Sequence, residues 1–419
     1  MTSASISSRE LIARARNANF IVFAVNGMSI ASWLSRLPDV KTHMQLSTST
    51  LSFLLLSIAC GSLIGLPTAG RIAEKLGTKN TVRLGGLVSM IGLLIAGASV
   101  QFDFGFAFAA AGLFIFGLSV GVWDVAQNLE GTIIEQKLER AIMPWFHAAF
   151  SGGTVLGALI GALATQIQLA IGVHISVIAV LSVVLLFWST ARYLADEPAA
   201  AHEEQKADKQ RPAWFEPRTL LIGLMVFAAA FAEGTANDWM ALAFVEGHGT
   251  TKATGVLGLA VFLTFMTAGR LFGTKALDRY GRVPVLRALF AAAALGCALV
   301  VFGGTVGAYI GAAIWGLGAS LGFPVGMSAA SDDPKRAAAR LSVVATLGYV
   351  AFLAGPPIIA YWLGQKNDMA VVRNNIMAYY AMTSTAHGLF SGRAWPRPPD
   401  ERGGPWPRVA RPPGAGAGR

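Results

Sequence analysis

Charge is the scarcest resource in this sequence. Asp, Glu, Lys and Arg make up 13% of its 419 residues, against roughly a quarter in an ordinary soluble domain. So few charges cannot coat a large water-facing surface, which excludes a soluble globular protein of this length. Cysteine is nearly absent. Cys60 and Cys297 both fall inside apolar runs, which excludes a disulfide framework and a CxxC metal motif. No HExxH or Walker loop occurs, so no enzyme activity, cofactor or metal is expected. Without an ATP-binding motif, any uphill work must draw on an ion gradient. The N-terminal stretch MTSASISSRELIARARNANF has no small-residue cleavage site, so the apolar run that follows is read as retained.

What is abundant is apolar surface. Hydrophobic residues reach 54%, and a bilayer core takes roughly 20 of them per helix. In lipid the backbone must close its hydrogen bonds inside such helices. The runs predict spans at 17–35, 50–68, 82–100, 105–125, 147–167, 171–192, 218–244, 253–272, 284–303, 306–328 and 340–362, with a weaker twelfth near 370–390. The charged, Pro-containing stretch after residue 194 has no apolar periodicity and reads as a linker, 195–217. The expected architecture is an all-α membrane protein of two six-helix bundles, 1–194 and 218–390, followed by a disordered tail, 391–419.

The net charge of +10 does not point to nucleic acid, because the basic residues lie between the apolar runs. With the N-terminus in the cytoplasm, and before the C-terminal tail, 22 Lys and Arg fall on the cytoplasmic side and only Arg36, Lys41, Lys252 and Lys366 on the other. That asymmetry is the positive-inside pattern of a multi-pass inner-membrane protein. The partners expected are a lipid bilayer, a small-molecule substrate and protons, with the chain acting as a monomer.

An internal repeat supports two halves. GRIAEKLGTK after span two contains Gly70, Glu74, Lys75, Gly77 and Lys79. GTKALDRYGR after span eight contains Asp278, Arg279, Gly281 and Arg282. Acidic–basic–x–Gly recurs at an offset of 204 residues. Asn26-Gly27 and Trp33 in span one are echoed by Glu233-Gly234 and Trp239 in span seven. Parallel repeats of this kind, related by an axis along the membrane normal, are one plan for transporters.

The twin loop motif, the long charged loop after span six and the twelve spans resemble the major facilitator superfamily over about residues 15–365. WLSRLP at 33–38, DVAQN at 124–128, MPWFHAAFSGG at 143–153, EGTANDW at 233–239 and GPP at 355–357 are similar to a bacterial, fucose-permease-like branch. The resemblance implies alternating access with a substrate site near the midplane, and a cytoplasmic gate at the loop motifs. Thr78 stands where the first motif usually has Arg, and Thr274 replaces the leading Gly of the second, so weaker loop contacts are expected. Span five lacks the Gly-Pro pair of proton-coupled drug antiporters. Efflux of a drug or metabolite, or a receptor without flux, are the alternatives to uptake of a polar solute.

Individual residues give sharper expectations. Glu233 lies deep in an apolar span with no Lys or Arg within one turn, so it is the leading candidate for a coupling proton. Asn237, one turn on, would orient it, with Asp238 beside it. Asp124 and Asn128 share a helix face with Glu135, for a role in transport or as a wetted helix end. His147 and His174 could join a proton path. Asn26 could bond substrate hydroxyls or glue helices. Trp33 and Trp239 are read first as interfacial belt residues, with sugar stacking as the rival. Arg36 either snorkels or closes an outer gate. The glycines of 157–164 and 318–322 are packing seams, and Pro324 and Pro356-Pro357 should bend their spans. After Lys366 the chain changes character. Residues 391–419 hold 7 Pro, 6 Arg and 6 Gly with no Leu or Ile, the composition of a shifted reading frame in GC-rich DNA.

Overall fold

The computed structural model describes residues 8–138, 142–194 and 213–330, together with 332, 336, 340–341, 343–352 and 355. The expected twelfth helix, Pro356-Pro357, the tail and most of the linker lie outside them. The described residues form helices and no strand. They are α1 (Ser8–Leu34), α2 (Leu37–His43), α3 (Thr48–Gln101), α4 (Phe106–Leu138), α5 (Met143–Gln166), α6 (Ile171–Thr190), α7 (Pro217–Leu242), α8 (Lys252–Tyr280), α9 (Arg282–Phe302), α10 (Gly304–Ala319), α11 (Gly322–Ala330) and α12 (Val343–Phe352).

Nine stretches among the described residues are long and apolar enough to cross a membrane. α3 alone has 54 residues, about 81 Å at 1.5 Å per residue, more than two crossings of a hydrocarbon core of about 30 Å. It holds the second and third expected spans, folded at Gly77, where φ is +77°. Only glycine takes such a conformation without strain. Gly281, at φ +79°, makes the matching turn between α8 and α9. The repeat found in the sequence is therefore a repeat of backbone geometry. Pro324 does more than bend its span. α10 ends at Ala319, and the proline sits in the first turn of α11.

The N-terminal helices pack α3 on α4, α1 on α5 and α3 on α6. The C-terminal helices pack α10 on α8 and α9, and α7 on α8 and α11; α5 against α8 is the main junction between the groups. Close approach uses glycines. Of those read as seams, a Cβ on Gly157 would sit 2.5 Å from the Met28 carbonyl and one on Gly318 2.5 Å from that of Leu289; Gly153 and Gly27 are as tight, at 2.0 Å from the Ala24 carbonyl and 2.2 Å from that of Phe150. Outward faces of α3, α5, α6 and α8 expose Leu, Ile, Val and Phe side chains, as a lipid-facing surface requires.

Candidate functional site

The junction of α5 with α8 and its neighbours contains a charged cluster. Glu233 lies 16 residues into α7, about 24 Å along its axis, and is buried. The expectation of a solitary carboxylate fails. Arg270 of α8 reaches it, with Nη2 donating to Oε1 at 2.7 Å. A bare carboxylate at this depth is costly, and a guanidinium offsets that cost with a charge-assisted bond. Arg270 also donates from Nη1 to Ser151 Oγ on α5 at 3.2 Å, and from Nε to the Ser320 carbonyl at 3.3 Å. The break between α10 and α11 lies at Ser320. The neighbour Gly269 permits the approach, since a Cβ there would be 2.4 Å from Ser320 Oγ. One side chain thus ties α7, α8, α5 and the α10–α11 break, and it bridges the two groups.

Asn237 does not orient the carboxylate. Its Nδ2 donates to the Glu233 backbone carbonyl at 2.8 Å. Asp238 is half-buried and makes no hydrogen bond or ion pair with a described residue. His147 is exposed, stands edge-on to Phe23 at 5.5 Å, and lies within the electrostatic reach of Arg270. Asp124 is half-buried rather than a wetted helix end, and accepts from Gln127 Nε2 at 2.9 Å. Asn128 donates to the Asp124 backbone carbonyl. Glu135 belongs to the fold instead. Its Oε2 accepts from the backbone N–H groups of Ile142 and Met143 at 2.7 and 2.8 Å, capping the start of α5, where a negative charge is favoured.

Asn26 is buried, and neither of its side-chain polar atoms bonds a described residue. Trp33 and Trp239 are 1% and 0% exposed, with indole N–H groups likewise unpartnered. The interfacial-belt reading is therefore wrong for both, because neighbouring helices enclose these positions. Arg36 does not snorkel. It is 3% exposed, donates from Nη2 to the Leu169 carbonyl at 2.8 Å, and holds Asp39 at 2.8 Å. His174 is buried close to that pair.

The sequence profile described as Major Facilitator Superfamily matches residues 19–356. The chain belongs to the major facilitator superfamily. It is 29% identical to an uncharacterised MFS-type transporter of Yersinia pestis over 84% of this chain and 89% of that one. It is 31% identical to an uncharacterised transporter of Sinorhizobium fredii over 80% and 87%. Among solved structures it resembles the nucleoside transporter NupG with a TM-score of 0.67 at 16% identity, covering 91% of this chain and 98% of that one. It resembles FucP in the outward conformation with a TM-score of 0.58 at 14% identity, covering 89% and 98%. These similarities make the chain a major facilitator transporter.

In this superfamily member the loop motifs keep their turns and change their contacts. Thr78, in the place of the usual Arg, donates to Glu130 Oε2 of α4 at 2.6 Å, so the substitution preserves a tie to the bundle. Arg282 donates to both Asp332 oxygens at 2.9 and 3.0 Å, within the C-terminal group. Among the described residues it has no partner in the N-terminal group. Arg279 lies over the Tyr280 ring at 5.2 Å. Asp278 is exposed at the end of α8. Glu74 and Lys75 are exposed and Lys79 half-buried, none bonding a described residue. Gly70 is no close-approach residue, since a Cβ there would meet nothing within 4 Å.

Arg270 is the residue that sequence reasoning missed. It lies inside the eighth span, next to a basic loop, where a cation is readily counted with that loop. The available signal was the pair of depths. Glu233 and Arg270 each sit more than two turns inside an apolar helix, and two opposite charges at such depths call for each other.

Proposed function

We propose that this major facilitator transporter moves a small polar solute, sugar-like in chemistry, across the cytoplasmic membrane by alternating access in symport with protons. The N-terminus faces the cytoplasm, and the chain works as a monomer. The observation that carries the reading is the Glu233–Arg270 pair, because Arg270 also holds Ser151 of the opposite half. Protonation of Glu233 cancels the charge that keeps Arg270 in place. A released guanidinium can leave Ser151, and the α5–α8 junction is then free to rearrange. Proton binding and movement of the halves share one side chain.

Solute recognition falls to polar groups of α1 and α7 that bond no described residue. Asn26 offers a donor and an acceptor, Trp33 and Trp239 offer indole N–H groups, and Asp238 offers an acceptor. Asp124, Asn128, Asn237 and His147 complete the candidate pathway. Glu74, Asp278 and their basic neighbours gate the cytoplasmic side. The same fold serves a nucleoside transporter and the Escherichia coli fucose:proton symporter. The test is a thermal-shift screen of sugars, acids and antibiotics, followed by accumulation of the best ligand in vesicles under an imposed pH gradient. Accumulation that collapses with a protonophore supports symport. Efflux of the ligand under the same gradient overturns it, and binding without flux replaces it with a receptor.

A further inference from the structure

The face away from the N-terminus of α1 carries charged pairs that join the two halves. Lys41 of α2 reaches Glu246, in the π-turn Ala243–Gly247 after α7, at 2.5 Å. Asp39 of α2 is 3.2 Å from Lys252, the first residue of α8. The pairing is reciprocal, since each half supplies one acid and one base. Each N-terminal member is also anchored in its own half. Asp39 is held by Arg36 at 2.8 Å and accepts from Thr165 Oγ1 at 3.0 Å, and Lys41 donates to Thr48 Oγ1 at 2.9 Å.

Position makes the first pair informative. Lys41 and Glu246 are 205 residues apart, close to the 204-residue offset of the loop motifs and the 206 residues between Trp33 and Trp239. They therefore occupy equivalent places in the two repeats. Equivalent residues can touch only beside the pseudo-two-fold axis, where the halves separate or close. Like charges there would repel; this chain places opposite charges at the two positions.

We infer that Asp39, Lys41, Glu246 and Lys252 form a charge-paired latch on the repeat axis, which holds that face shut and sets how readily it opens. These are positioning residues for the transport cycle. The inference needs no knowledge of the substrate. It rests on the proposed orientation only in taking this face as the outer one.

The test is side-specific labelling in a Cys60→Ser/Cys297→Ala background with a reporter, Ala243→Cys, at a buried site in the π-turn. A membrane-impermeant maleimide is added to intact cells and, separately, to inverted vesicles. Lys41→Glu places like charges across the axis and should raise labelling from outside at least about tenfold, as close interfacial charge pairs couple by more than that factor. Glu246→Lys should do the same, and the swapped double variant should return to the parental rate. Lys41→Gln gives the same direction where reversal lowers yield. Unchanged labelling in both single variants overturns the latch, as does a double variant that stays as open as the singles. An increase seen only in inverted vesicles keeps the latch and overturns the orientation.

Discussion

Removing one member of the Glu233–Arg270 pair is the perturbation with the largest expected effect on the folded state. The two side chains meet at 2.7 Å and are 10% and 22% exposed. At an effective dielectric of about 20 the gross attraction at that distance is about 6 kcal/mol. Desolvating the two ions costs several kcal/mol in return, so the intact pair adds little net stability. Loss of one partner is a different matter. Glu233→Ala leaves a mostly buried guanidinium without a counter-charge, which costs roughly 3–5 kcal/mol. Arg270→Ala strands a carboxylate and also abandons Ser151 and the Ser320 carbonyl. The double variant Glu233→Ala/Arg270→Ala removes both charges together. It should be destabilised by at least about 1 kcal/mol less than the sum of its single changes. Denaturant midpoints of the four purified proteins in one detergent measure this. A double variant whose loss equals the sum of the two single losses would refute the coupling.

Three further outcomes follow from other parts of the structure. Thr78→Val deprives the buried Glu130 of a 2.6 Å donor and should cost about 1–3 kcal/mol of stability in the same denaturation assay. Gly153→Val drives a side chain into the Ala24 carbonyl, 2.0 Å from where its Cβ would sit, and should cost about 1–3 kcal/mol or more by forcing α1 from α5. At Glu216, outside the spanning segments, burial opposes the charge. Hydrogen bonds from Thr219 and Arg340, with the charges of Arg340 and Arg336, outweigh it and hold the pKa below the ordinary 4.5. A lowered carboxylate pKa contributes stability that is fully present above pH 4.5 and lost as pH falls through the folded value. Glu216→Gln should therefore narrow the stability difference between pH 7 and pH 4, and an unchanged difference would remove Glu216 from the account.

The fold was legible where the sequence repeats a backbone requirement. Gly77 and Gly281 fall at the same offset as the motif around them and take nearly the same positive φ. The apolar runs located the spans because lipid leaves few alternatives. Side-chain partners were less legible, since hydropathy along one helix says nothing of what a neighbour supplies. Glu233 was visible as a buried acid, while Arg270, 37 residues away, was hidden by its closeness to a basic loop. Trp33 and Trp239 look like belt residues in any window, and only packing against other helices reveals them as core. Glu135 reads as a transport carboxylate by spacing, yet the chain turns back and gives it two N–H groups to cap. The Lys41–Glu246 contact depends on the repeat axis, which single-helix reasoning does not place.

The most direct measurement of the central claim pairs two assays on Glu233→Gln in the same vesicles: accumulation of the identified solute under a pH gradient, and counterflow with no gradient. Glutamine resembles the protonated acid and can no longer titrate. The account predicts that uphill accumulation disappears while counterflow continues, because exchange of solute needs no release of a proton. Accumulation equal to that of the unmodified protein would contradict it and leave Glu233–Arg270 as an ion pair that holds the helices and nothing more.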